Sequence, residues 1–248
     1  MTTKPPLSTF LLRHTQTIWN ATSRYQGRMD TELSDEGKRQ VARIAALVRL
    51  GEFNRVYSSP LTRALTLATA IGDATGVAVD TDDRLTEIAM GPWEGLTRDE
   101  IAERFPDMFA QWHDRPDKVT FPDGESLDMV AARVRSFMDD LFDYQDAHPI
   151  AVVSHDAVIK VAVMLPLGLE LRYLHRFRMR NGSVSILRGN RYEGSVETIG
   201  SLAHLTGSPF DLSAEGSGAE PSRVQTNEEP ERETKNEKPE TPQSENPR

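Results

Sequence analysis

The sequence predicts an α/β protein, a three-layer α/β/α sandwich around a mainly parallel sheet. Short apolar runs bounded by polar residues alternate along the chain with segments whose apolar positions repeat every three and four residues, the spacing of a helix face. One run, Pro149-Ile-Ala-Val-Val-Ser154, is apolar on both of its faces, as a central parallel strand requires.

The elements follow in order. Phe10, Leu11 and Leu12 form the first strand, which ends in Arg13-His14, and Gln16 to Thr22 allow a helical turn or two. Arg24 to Asp30 is a polar loop. Ser34 is a helix N-cap with Asp35 and Glu36 in the first turn; Val41, Ile44, Ala45 and Val48 give the apolar face, and Gly51 ends it. Arg55 to Ser58 is a second strand, and Ser59-Pro60 should open the next helix with proline at its first position. That helix turns Leu61, Ala64, Leu65 and Ala68 inward and stops between Gly72 and Gly76. Val77 to Asp80 is a third strand, and Asp82 to Gly95 a long loop. Helical patches are expected at Thr97–Phe105 and Met108–Trp112, followed by a turn at Pro122–Ser126. The longest helix runs from Leu127 to about Tyr144, with Val130, Val134, Phe137, Met138 and Leu141 on one face. After the 149–154 strand come a helix from Ala157 to Leu167 and two strands, Ser183–Leu187 and Ser195–Ile199, joined by a turn near Gly189-Asn190.

The chain has 248 residues, 38% hydrophobic and 27% charged, with a formal net charge of −9. That charge argues against a general affinity for nucleic acid or an anionic membrane, and an anionic substrate would need a local basic pocket. The absence of cysteine excludes disulfides, thiolate catalysis and cysteine-ligated zinc, and the six histidines are not spaced as metal ligands. No signal region or membrane-length apolar run is present, so the expectation is a soluble, cytoplasmic protein. From residue 207 the composition changes: between 213 and 248 only Ala214, Ala219 and Val224 are apolar. Such a segment cannot bury enough surface to offset its chain entropy. Residues 1–206 are therefore expected to form the three-layer α/β domain and residues 207–248 a disordered acidic tail.

Four segments place reactive side chains at predicted strand ends: Arg13-His14, Tyr57 to Arg63, the Arg84 to Gly95 loop with Glu87 and Glu94, and Ser154-His155-Asp156. In a parallel sheet such ends share one edge and can meet there. Arg63, in a first helical turn, is badly placed for a cation by the helix dipole, which points to a function for it. Two histidines, two arginines and a carboxylate suit phosphoryl transfer. Guanidinium forks hold equatorial oxygens, a neutral imidazole attacks phosphorus in line, and a carboxylic acid protonates the leaving oxygen. Fixed cations already neutralise developing charge, so no metal or cofactor is expected. An apolar neighbourhood that would raise its pKa favours Glu87 over Glu94 as the acid. Trp93 is expected to pack, and His113, His148 and His175 to be ordinary exposed histidines.

The same blocks resemble the histidine phosphatase superfamily, the phosphoglycerate mutase-like group. The matching text is Leu-Leu-Arg13-His14-Thr-Gln-Thr-Ile-Trp-Asn20, Tyr25-Gln26-Gly27 to Gly37, Ser58-Ser-Pro-Leu-Thr-Arg63-Ala, Leu85-Thr-Glu87 to Gly95, Asp123-Gly-Glu125-Ser126 and Val153-Ser-His155. The resemblance implies that His14 becomes phosphorylated, that Arg13, Arg63 and His155 hold the phosphate, and that Glu87 is the proton donor. It also implies that Asn20, Gln26 and Gly27 line the pocket, and that His204 touches the non-phosphate part of the substrate. Two positions depart from the family pattern. Thr15 stands where glycine is usual and offers a hydroxyl donor. Asp156 stands where glycine or another uncharged residue is usual; a carboxylate there would repel phosphate, so it should point away and cap the next helix.

The interval from Glu87 to His155 lacks the basic insertion of the mutase branch, which favours water as acceptor. The wording from Pro116 to Ser126 is closest to small-metabolite phosphatases. A phosphomonoesterase acting on a small phosphorylated metabolite is thus expected, with substrate choice set by the lid between Gly95 and Glu125. A cofactor-dependent phosphoglycerate mutase and a non-catalytic phosphate-binding module stay open as alternatives. Oligomeric state is not legible.

Overall fold

The computed structural model describes residues 7–143, 148–189 and 194–207. Its elements are β1 (Leu7–Arg13), α1 (Ile18–Ala21), α2 (Asp35–Leu47), β2 (Arg55–Ser58), α3 (Thr62–Thr75), β3 (Val79–Thr81), α4 (Arg98–Arg104), α5 (Pro106–Asp114), α6 (Leu127–Asp143), β4 (Ile150–Ser154), α7 (Asp156–Met164), β5 (Val184–Gly189), β6 (Gly194–Ser201) and α8 (Ala203–Thr206). The sheet order is β3-β2-β4-β1-β5-β6. Its β3, β2, β4 and β1 strands are parallel, while β5 and β6 add an antiparallel edge.

The wholly apolar strand sits in the middle, as its composition requires. Ile150 and Val152 point into one core with α6, α7 and the 85–121 segment; Ala151 and Val153 point into a second core with α2 and α3. Alternate side chains of a strand face opposite ways, so one apolar run serves both layers. Trp93 packs as expected, fully buried against Tyr25, Phe109, Trp112 and Phe121.

Several boundaries differ from expectation for identifiable reasons. Pro60 does not open α3; Leu61 is its N-cap, and Asp30 Oδ2 caps it from outside by accepting the Thr62 N–H at 3.0 Å and the Thr62 hydroxyl at 2.6 Å. Leu67 and Ile71, rather than the half-buried Leu61 and Leu65, join Ala64 and Ala68 in the core. The third strand begins at Val79 because the Val77 N–H is used at the helix end, on the Gly72 carbonyl at 3.0 Å, beyond a left-handed Gly76. α7 stops at Met164, two residues before Pro166. The long loop at 82–95 contains two short 3-10 turns, Asp83–Leu85 and Gly91–Trp93.

Tyr144, Asn190 and the tail beyond Gly207 lie outside the described residues. Among the described residues no helix is long and apolar enough to cross a membrane.

Candidate active site

The site is assembled by strand register. Arg13, the last residue of β1, lies opposite Ser154 at the end of β4, and the His14 N–H donates to the Ser154 carbonyl at 2.9 Å. His155 follows at once. β2 ends at Ser58, and the chain turns through Ser59–Leu61 so that Arg63 falls in the first turn of α3. The loop carrying Glu87 is pinned on both sides. Ser154 Oγ donates to the Leu85 carbonyl at 2.7 Å, and Arg133 Nη1 to the Arg84 carbonyl at 2.6 Å. The Ala89 N–H donates to Glu125 Oε2 at 3.1 Å, and Glu125 takes a two-pronged ion pair from Arg133 at 3.0 and 3.1 Å. The Asp123-Gly-Glu125 block therefore holds the acid loop in place.

A cavity of about 220 Å³ opens at this edge, lined by seven of the eight expected residues: Arg13, His14, Asn20, Gln26, Gly27, Arg63 and Glu87. His155 is the exception. It is completely buried and not a wall of the cavity, with its ring centroid 5.2 Å from that of His14. Six cations line the space, Arg13, Arg24, Arg63, Lys160, Arg178 and Arg180, against two carboxylates, Glu87 and Asp156. This is the local basic pocket that a chain of net charge −9 needs to hold an anion. Among the described residues no cluster of three or more His, Cys, Asp or Glu is arranged to hold a metal ion.

His14 Nδ1 lies 2.8 Å from the Thr15 carbonyl, an acceptor only, so Nδ1 carries the proton and Nε2 is left with its lone pair. Burial, then Arg63 and Arg13, hold the imidazole well below its usual pKa and therefore neutral. The two arginines are anchored by some of their nitrogens and left open at others. Arg63 donates from Nη1 to the Met29 carbonyl and from Nη2 to the Gly27 carbonyl, each at 2.7 Å. Arg13 donates from Nη1 to the Met179 carbonyl and to Asp156 Oδ1. In both, Nε is buried without a partner in the protein. Buried donors of this kind are rare, and they mark places where an oxyanion can bind. Burial pulls the Arg63 pKa to about 10, so the group stays charged at neutral pH. His155 Nε2 is 2.7 Å from Ser59 Oγ, and its Nδ1 is buried and unpartnered.

Glu87 and Glu94 are placed differently. Glu87 lines the cavity, 9% exposed, and burial followed by Asp156 raises its pKa. Glu94 is not a cavity wall; its Oε1 accepts the N–H groups of Arg28 at 3.1 Å and Met90 at 2.9 Å and so ties two loops together. Gly27 packs directly on that carboxylate. It has φ +49°, and a Cβ there would lie 2.1 Å from Glu94 Oε1. Gly27→Ala should lower stability by about 2 kcal/mol from backbone strain and the displaced tie. The check is a thermal melt, in which about 4–8 °C of lost Tm is expected.

Other expectations are corrected by the structure. Asp156 neither points away nor caps: it is the first residue of α7, its N-cap is His155 without a side-chain cap bond, and its carboxylate lines the cavity, paired with Arg13 and Lys160. The Thr15 hydroxyl is buried without a partner and is not a cavity wall, so this residue acts through its carbonyl. His204 bonds the Gly182 carbonyl at 2.8 Å and does not line the cavity. His113 and His175 are half-buried and stacked, ring centroids 5.8 Å apart, and His175 is a cavity wall; His148 alone is exposed. Within the segment from 96 to 124, Trp112 is the cavity wall; Ser23–Tyr25 and Met90 add to it, and two further stretches come from within Asp156–Lys160 and Leu174–Asn181. The sequence reading passed over that second segment, although its three arginines at 176, 178 and 180 were a usable signal. Asn181 was also missed: its Nδ2 donates to Asn20 Oδ1 at 3.1 Å and the His14 carbonyl at 3.2 Å.

Comparison with known proteins identifies a family. The family profile of the histidine phosphatase superfamily, branch 1, matches residues 9–201. Phosphoserine phosphatase 1 of Hydrogenobacter thermophilus is 32% identical over 195 residues, 79% of this chain and 92% of the relative. A protein named "Probable phosphoglycerate mutase GpmB" from Erwinia tasmaniensis is 31% identical over 210 residues, covering 83% and 98%. Among solved structures, a mycobacterial glucosyl-3-phosphoglycerate phosphatase complexed with VO3 superposes with a TM-score of 0.70 at 29% identity, covering 77% of this chain and 97% of that one.

Proposed function

The chain belongs to the histidine phosphatase superfamily, and from that premise we propose that it is a metal-independent phosphatase of a small phosphomonoester. One observation carries the reading: the unprotonated Nε2 of a neutral, buried His14 shares a cavity with two guanidinium groups whose buried Nε atoms lack protein acceptors. Arg13 and Arg63 hold the phosphoryl oxygens, and His155 stands beside the nucleophile, its ring centroid 5.2 Å from that of His14. Nε2 of His14 attacks phosphorus, the ester P–O bond breaks, and the Glu87 carboxyl gives its proton to the leaving oxygen. Water then attacks the phosphohistidine, its proton passes to the Glu87 carboxylate, and the P–N electron pair returns to His14. Gln26, Gly27 and Asn20 shape the wall. A cavity of about 220 Å³ is below the roughly 300–1,000 Å³ of sites for drug-sized ligands, which fits a small metabolite. Residues 1–206 are the catalytic unit and 207–248 an appended acidic tail.

The test is a panel of phosphorylated metabolites ranked by kcat/KM, together with acid quench after brief exposure to labelled substrate. Hydrolysis and acid-labile label on His14 are expected. Binding of phosphoesters with no turnover and no label would favour a recognition module instead. The similarity to the GpmB protein keeps a mutase reading alive. It would win if phosphoryl exchange between sugar-acid hydroxyls, dependent on a bisphosphorylated sugar acid, outran hydrolysis.

A further inference from the structure

Asp156 puts a negative charge in the wall of an anion-binding cavity, where simple electrostatics would remove it. Its surroundings explain how it can stay. Oδ1 accepts from Arg13 Nη1 at 3.2 Å, and Oδ2 accepts from Lys160 Nζ at 2.6 Å, one turn along α7. Lys160 is itself a buried wall residue, 8% exposed. The triad of two cations and one anion remains net positive toward the cavity. Burial pushes the Asp156 carboxyl up, but Lys160 and Arg13 outweigh it and keep the group ionised. A carboxylate in a first helical turn is also favoured by the helix dipole.

The geometry matters more than the charge. Arg13 Nη1 carries two protons, and both have acceptors: Asp156 Oδ1 and the Met179 carbonyl. A guanidinium is planar, so two contacts at one corner fix the plane and the direction of every other N–H. The Nε corner is the one left buried and unpartnered. Remove Asp156, and a single carbonyl remains to hold Nη1 while the group is free to turn about that contact.

Resting on the reading of this cavity as a phosphoryl site, we propose that Asp156 is a positioning residue: bridging Lys160 and Arg13, it aims the open Nε edge of Arg13 at the phosphoryl oxygens. The opposite expectation is that Asp156 merely repels the anion, and the two differ in sign.

The experiment measures inorganic phosphate binding to the full chain by calorimetry, which needs no turnover, and kcat and KM with 4-nitrophenyl phosphate. Asp156→Ala combined with Lys160→Met removes one charge of each sign and the acceptor of Arg13 Nη1, and leaves the local net charge unchanged. About tenfold weaker phosphate binding is expected, with KM rising by a similar factor and kcat changing less. In an Arg13→Ala background the same pair should change binding less than about twofold, because the partner it acts through is gone. Unchanged or tighter phosphate binding in the charge-balanced variant overturns the proposal, as does an equal loss in both backgrounds. Asp156→Ala alone, read by the same cycle, serves if the paired variant melts below assay temperature. A wild-type chain that binds phosphate but hydrolyses no ester would defeat the proposed function while leaving this measurement valid.

Discussion

His14→Ala is expected to lower kcat/KM for any phosphomonoester by about 10⁴-fold or more and to abolish labelling of the protein by substrate phosphate. The size follows from the loss of the only proposed route through a covalent intermediate: without Nε2, water must attack the ester directly. Few of the other interactions should be lost. Arg13 and Arg63 keep their backbone carbonyl anchors at Met179, Met29 and Gly27, none of which involves the imidazole. The variant should therefore still bind inorganic phosphate, which separates loss of chemistry from loss of the site. The pH dependence carries a sign. His14 acts in its neutral form, and its pKa is held well below the usual 6.5 by burial, Arg63 and Arg13. Lowering the pH from neutrality protonates it only once that depressed value is approached, so the acid limb of wild-type kcat/KM should lie below pH 6.5. An acid limb at or above pH 6.5, or a His14→Ala variant within tenfold of wild type, would contradict the assignment.

The fold was legible because one strand announced itself. Residues 149–154 could only be a central strand, and with it came the parallel sheet, both cores and the shared edge where Arg13, Arg63 and His155 lie. That Arg13, Arg63 and His155 share one edge was legible for the same reason: they lie at strand ends and in a first helical turn, fixed by local chain geometry. What escaped notice depends on long-range packing. Nothing near Asp156 in sequence says that Arg13, 143 residues away, will accept it as a partner, so repulsion from phosphate looked decisive. The 174–181 wall has no regular period, and its part in the cavity comes from crossing the end of β1, where the Arg13 N–H meets the Ser183 carbonyl at 3.0 Å. His175 looked like a surface residue because its partner, the Trp112 carbonyl at 2.8 Å, lies in another element; burial there pushes its pKa to about 4.

Glu87→Gln should produce the second largest loss, and its signature is dependence on the leaving group. Glutamine is nearly isosteric and can still take the Ile88 N–H that Glu87 Oε1 accepts at 3.0 Å, so the loop should keep its shape. It cannot donate a proton to a departing alkoxide. For alkyl phosphates kcat/KM should fall about 10²–10⁴-fold, the usual worth of a general acid. For 4-nitrophenyl phosphate, whose phenolate leaves without help, the loss at that step should be slight. The pH profile supplies a second sign. Burial, then the charge of Asp156, raise the Glu87 pKa against the opposing pull of the Ile88 N–H, Arg63 and Arg13. The protonated form is the one needed for the first step, so wild-type activity on alkyl phosphates should decline as pH rises through that raised value. The decline should vanish in Glu87→Gln. Glu94→Gln is the matching control: Glu94 spends its carboxylate on two backbone N–H groups outside the cavity, so its variant should keep the basic limb. If Glu94→Gln lost the limb and Glu87→Gln kept it, the acid would have to be reassigned. If neither moved it, the group titrating there would belong to the substrate, whose second phosphate ionisation lies near pH 6.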